Sequence, residues 1–264
     1  MKLYEMVFSP TGGTKKVADI LAEAMGLERQ IVDLTKRDTA FSEICLSPED
    51  VCLAAVPSYG GRVPEAASAR LGQIQGNGAK AVLVCVYGNR AYEDTLVELK
   101  DVMTEAGFFC AAAVSAVAEH SIARQFAAGR PDGADEKELK EFAARIRPLL
   151  TGKVPAEEAE VPGNRPYRKL GVIPMHPEGG RECSGCGSCV KKCPVGAIPA
   201  DNPAKTDASL CISCMRCIKV CPRDARKLNK LMLAAVSQKL KKVCQEPKKN
   251  ELFLGRLGEG NGKA

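Results

Sequence analysis

The chain has 264 residues, of which 45% are hydrophobic, with few aromatics, no Trp and a formal net charge of +6, an ordinary globular composition. Its longest apolar run, residues 108–118, is too short to span a bilayer, and charged Lys2 and Glu5 do not suit a secretory leader. A soluble, cytoplasmic protein is the expectation, with no membrane partner. Charge is uneven: residues 1–150 hold 17 Lys/Arg against 21 Asp/Glu, and residues 151–264 hold 21 against 11. A basic half raises nucleic acid as a partner, but no stacking aromatics or binding motif accompany it, and it also holds nine of the 13 cysteines. Nucleic acid is therefore set aside.

Residues 1–152 alternate short apolar runs with amphipathic segments. Strands are predicted at Leu3–Phe8, Arg29–Leu34, Val51–Pro57, Ala81–Tyr87 and Phe108–Ala118, each rich in Val, Leu, Ile or Ala. Between and after them, three helix faces follow a 3.6-residue period: Val17, Ile20, Leu21 and Ala24; Leu96, Leu99, Met103 and Ala106; Leu139, Phe142, Ala143, Ile146 and Leu150. Fully apolar strands alternating with helices predict an α/β domain, a doubly wound parallel sheet of five strands covered on both faces. Such sheets bind ligands where the strand order reverses.

Prolines then break the pattern, and 153–178 is predicted to be an extended surface linker. A smaller α+β domain is expected over 179–226. After it, 227–264 is predicted to be a basic helix with a disordered end; Leu228, Leu231, Ala235, Val236, Leu240 and Val243 share its apolar face, expected to pack on the protein itself.

Residues 183–194 and 211–222 each read C-x2-C-x2-C-x3-C-P, the run of bacterial iron–sulfur proteins. Zinc sites favour paired C-x2-C units, and disulfides do not suit a cytosolic chain. Gly185 and Gly187 permit tight turns that aim N–H groups at sulfur. Cys52, Cys85 and Cys110 fall inside strand patterns and read as core residues, Cys45 and Cys244 as isolated thiols.

Three loops close the predicted strands. The first, FSPTGGTKK, offers Ser9, Thr11, Gly12, Gly13 and Thr14 for an anion at a helix N-terminus, without the spacing of a nucleotide P-loop. Lys15 and Lys16 add positive charge there. The second, PSYGGRVP, offers Ser58, Tyr59 and Gly60. The third, YGNRAY, offers Tyr87, Gly88, Asn89 and Tyr92. Arg62 and Arg90 would make the surround cationic, while 118–132, with Glu119 and His120, reads as a surface loop.

The first loop resembles the phosphate loop of flavodoxins at Ser9, Thr11, Gly12, Thr14 and Ala18. Residues 1 to about 226 resemble the fused flavodoxin–ferredoxin proteins of anaerobic bacteria. That resemblance implies FMN in the flavodoxin-like domain, with the second and third loops on the flavin ring, and two [4Fe-4S] clusters in the other. As in two-cluster ferredoxins, one cluster would take Cys183, Cys186, Cys189 and Cys221, and the other Cys211, Cys214, Cys217 and Cys193. It further implies an electron-transfer iron–sulfur flavoprotein serving redox protein partners. The alternatives are an FMN-dependent reductase of a small acceptor, such as a quinone or flavin, and a cluster-binding docking protein without flavin.

Overall fold

The computed structural model describes residues 1–152, 157–171 and 175–256. Its centre is a parallel sheet of β1 (Leu3–Val7), β2 (Arg29–Asp33), β3 (Val51–Pro57), β4 (Lys80–Tyr87) and β5 (Phe109–Val117). The spatial order β2-β1-β3-β4-β5 reverses direction between β1 and β3, the doubly wound, flavodoxin-like arrangement. β3 and β4 are buried along almost their whole length, because helices cover both faces. On one face lie α1 (Gly13–Met25) and α4 (Gly133–Thr151), packing Val17 and Leu21 with Leu139, Ala143 and Ile146. On the other lie α2 (Glu65–Leu71) and α3 (Thr95–Glu105), contributing Leu71, Leu96, Leu99 and Met103. Each such fully buried aliphatic side chain is worth about 1.5–3 kcal/mol. α2 has no sequence signature, since only Ala67 and Leu71 of its residues are buried.

The expected linker is extended but tightly held. In its described part, Asp94 accepts hydrogen bonds from the Asn164 and Arg168 amides, and Asp101 accepts from Arg165 and Tyr167. Ala159 is fully buried, its N–H donating to the Cys110 carbonyl. Residues 153–156 and 172–174 of that linker lie outside the described residues.

The second domain has little regular structure. β6 (Glu178–Gly179) pairs antiparallel with β7 (Arg226–Lys227), and two short helices follow cysteine turns, α5 (Ser188–Lys192) and α6 (Arg216–Lys219). Its core is small, built from Cys189, Cys193, Ala197 and Ile198.

The C-terminal region differs most from expectation. The basic helix is present as α7 (Lys230–Cys244), capped by the Asn229 side chain. Its apolar face is only partly covered: Leu228, Val236 and Leu240 are half-buried, while Leu231 is 83% and Val243 50% exposed, and Cys244 alone of the helix is buried. Nor does the chain trail away. It returns as β8 (Glu251–Leu254), antiparallel to β5, giving the sheet a sixth strand on its edge. Leu252 and Leu254 pack on one core face and Phe253 on the other. The expected disordered end, 258–264, lies outside the described residues.

Asn250 locks this return. It is 6% exposed, donates to Asp135 at 2.9 Å and Glu138 at 2.6 Å, and accepts from the Val117 N–H at 2.9 Å. Asn250→Ala strands the Val117 amide, so it should destabilise the protein by about 1–3 kcal/mol. A lowered urea midpoint at unchanged slope is the expected readout.

Candidate functional site

The carboxyl ends of the strands open into a cavity of about 100 Å³, continuous with solvent. Thr11, Gly13 and Thr14 line it from the first loop, Ser58, Tyr59 and Gly60 from the second, Tyr87 and Gly88 from the third. Ser9 stands beneath, its Oγ accepting from the Lys15 N–H at 2.9 Å. Gly12 caps α1 in the left-handed region at φ 104°, a conformation that glycine adopts without strain.

Four sequence assignments change. Lys15 Nζ binds the carboxylates of Asp19 and Glu5, and Lys16 Nζ donates to the Pro131 carbonyl. The loop's donors are therefore neutral: backbone amides and hydroxyls at a helix N-terminus. Asn89 is withdrawn from the pocket: its Nδ2 donates to the Cys244 and Glu246 carbonyls and its Oδ1 accepts from the Lys248 N–H. Tyr92 also points elsewhere, donating to Glu251 at 2.6 Å and meeting Tyr87 edge-on. The expected cations are neutralised, Arg62 by both oxygens of Glu98 and Arg90 by both oxygens of Glu93.

Residues beyond the three loops complete the wall. Ala118, Glu119, His120, Ser121 and Ile122 line the cavity, so the segment read as a surface loop contributes to the pocket. His120 Nδ1 accepts from the Ile122 and Ala123 amides, both at 3.1 Å. The proton of the neutral ring therefore sits on Nε2. Gly88 makes room for it, because a Cβ there would come within 2.6 Å of the imidazole. The other new wall is Ile212–Ser213, from inside the second cysteine motif. No local signal marks a cysteine turn as part of a pocket built on a distant sheet.

The eight motif cysteines ring two further, smaller cavities. Cys183, Cys186, Cys189 and Cys221 line one, and Cys193, Cys211, Cys214 and Cys217 line the other. The fourth cysteine of each motif thus crosses to the other set. The motifs are built alike. Gly185 and Gly187 have φ of 69° and 71°, and their counterparts Ser213 and Met215 have 53° and 61°. The second motif adopts the same turns at the strain of non-glycine residues, about 1–2 kcal/mol each. The Ala197 N–H reaches Cys193 Sγ at 3.3 Å, and the Ala225 N–H reaches Cys221 Sγ at 3.3 Å. Burial pushes the Cys214 thiol up to about 12, in a site that isolated thiolates would find costly. Among the described residues no group of His, Cys, Asp or Glu is placed to hold a single metal ion, and the cysteines form no disulfide.

The sites adjoin. Ile212 lines both the second cysteine cavity and the sheet-edge pocket. Arg216, on the cysteine side, donates to the Ser9 carbonyl at 3.3 Å, and Arg70 donates to the Pro194 carbonyl at 2.6 Å.

Residues 182–226 match the family model described as a 4Fe-4S dicluster domain. No curated protein matches the chain. Solved structures similar to its first half include a flavodoxin of Streptococcus pneumoniae TIGR4, 22% identical over 55% of this chain and 97% of that one, TM-score 0.38. Flavodoxin 1 from Bacillus cereus is 16% identical over 55% and 97%, TM-score 0.37. The rubredoxin oxygen:oxidoreductase of the anaerobe Desulfovibrio gigas is 17% identical over 57% of this chain and 35% of that one, TM-score 0.39. Strand order on one side and the dicluster match on the other define the architecture: a flavodoxin-like domain fused to a ferredoxin-type iron–sulfur domain.

His120 carries a direct test of the pocket's electrostatics. Burial, assisted by the charge of Arg90, lowers its pKa to about 4. Its imidazole resonances should not titrate between pH 5 and 8. Because the unfolded ring binds a proton near 6.5, this contribution to stability is complete above pH 6.5 and is lost as pH falls toward 4.

Proposed function

We propose that the protein is an electron-transfer iron–sulfur flavoprotein, with two [4Fe-4S] clusters in the two cysteine cavities and FMN in the sheet-edge pocket. The observation that carries this is Ile212, one side chain that walls both the second cysteine cavity and the pocket.

The residues suit these groups. Each cavity presents four thiols and no carboxylate or imidazole, the donor set of a cubane cluster. At the pocket, Thr11, Thr14 and the amides opening α1 suit a phosphate. Gly12 has open space where a Cβ would stand. Tyr59 and Tyr87 supply aromatic surface for a ring, and neutral His120 supplies one donor. When bound, the clusters would exchange single electrons and FMN would take up two. The chain's own work is to hold the sites close and keep water out. Ile212 does both between the second cavity and the pocket; Val195 and Ile198 pack around the cysteines. A redox protein partner is proposed to meet the first cavity, whose Cys186 is exposed.

Anaerobically purified protein should contain about eight irons, with matching sulfide, and one FMN per chain. Cys193→Ala should abolish the cluster of Cys211, Cys214 and Cys217; loss of the Cys183 cluster instead would refute the crossed ligation. A colourless protein that still folds would leave only a docking role.

Gly12→Val probes the flavin alone. A β-branched residue at φ 104° is strained, and would distort the turn that presents Thr11, Thr14 and the first amides of α1. FMN affinity should fall at least about tenfold, the equivalent of 1.4 kcal/mol, with iron content unchanged. Undiminished FMN binding would remove the phosphate assignment.

A further inference from the structure

Arg226, on β7, is among the largest fully buried side chains of the protein, at 1% exposure. Its guanidinium donates to the carbonyls of Pro177, Pro203 and Lys205 and to the Thr206 hydroxyl. It reaches Cys189 Sγ, in the first cysteine set, at 3.8 Å, and it lines the first cavity. It also reaches the wall of the second set: Pro177 and Thr206, which accept from its guanidinium, line the second cavity. Among the described residues Nε has no partner.

This arrangement is costly as it stands. A guanidinium does not shed its proton within proteins, and an ion taken from water without a counter-charge costs several kcal/mol. Yet every acceptor that Arg226 reaches is a neutral oxygen or a cysteine sulfur. Carbonyls orient the fork without cancelling its charge. The missing anion must come from what the cysteines hold, and a cubane bound by four thiolates is a net anion that becomes more negative on reduction. A cation in contact with the first set and bonded to the wall of the second therefore stabilises the reduced form of each.

We propose that Arg226 is the shared counter-charge of the two clusters, raising the reduction potential of both from a buried position between them. This rests on the proposed occupancy of the cysteine cavities. Arg226 here is a positioning and tuning residue, and its charge is the active property.

The test is a redox titration followed by electron paramagnetic resonance on the full chain, with iron counted in every sample. In Arg226→Gln both reduction steps should move to lower potential, each by about tenfold in its equilibrium, or 59 mV for one electron. Arg226→Lys keeps the charge but loses the fork, and should restore at least half of each shift. Full iron in Arg226→Gln with unmoved steps, movement of one step only, or Lys behaving like Gln would each overturn the proposal. Should the Gln variant fail to assemble clusters, the Lys variant decides. Two clusters near the wild-type potentials support a charge role, and failure in both variants reduces Arg226 to a packing element. A wild-type protein without iron would instead refute the proposed function itself.

Discussion

The pairing of β8 with β5 is the contact on which the rest of the arrangement depends. A parallel sheet that stopped at β5 would leave a row of unpaired N–H and C=O groups at its edge. The chain satisfies them with its own C-terminal segment, and that choice has a topological consequence. The ferredoxin-type domain is not a pendant. It is entered through the strap at 157–171, hydrogen-bonded to Asp94 and Asp101, and left through a segment held by Asn89 and Asn250. A domain fastened at both ends has little freedom to swing. The wall that Ile212 forms between the second cysteine cavity and the pocket is therefore a built-in feature, with no need for a docking encounter.

Charge follows a matching logic. The flavodoxin-like half neutralises its cations locally: Arg62 with Glu98, Arg90 with Glu93, Lys15 with Asp19. What reaches the pocket is mostly neutral donors. In the cysteine half Lys205 meets Glu178, and the most deeply buried cation, Arg226, contacts neutral oxygens and sulfur. The uneven charge in the sequence is thus a division between a half that balances itself and a half whose balance needs bound anions.

How far this was legible depended on the range of the interaction that decided each feature. The five parallel strands were readable because burial on both faces leaves continuous apolar runs such as VCLAAVP and KAVLVCVY. The cysteine spacing was readable because ligand geometry acts over a dozen residues. Asn89 and Tyr92 were misplaced, since the loop YGNRAY cannot disclose that residues 244–251 will claim those side chains. The four-residue strand ELFL carries no signal until β5 offers it an edge. His120 was undervalued because its role rests on a neighbour without a side chain, Gly88. The packing of α7 is only partial, with Val236 and Leu240 half-buried and Leu231 and Val243 exposed, because amphipathicity states that a face is apolar and not how much of it this chain covers.

The order of the three cavities now follows from shared walls. The first cysteine set includes an exposed member, Cys186, so it lies toward solvent. Arg226 touches it and is bonded to the wall of the second set. The second set shares Ile212 with the pocket, and the pocket ends on the sheet. The two junctions differ in kind. Arg226 is a fixed charge, which shifts the energies of the groups on either side. Ile212 is apolar, which keeps water out and leaves those energies alone. The crossing of the fourth cysteines then has a structural reason. Because Cys193 and Cys221 each serve the opposite set, neither site can be assembled without the other, and the order solvent, first set, second set, pocket is fixed by the fold of one short domain.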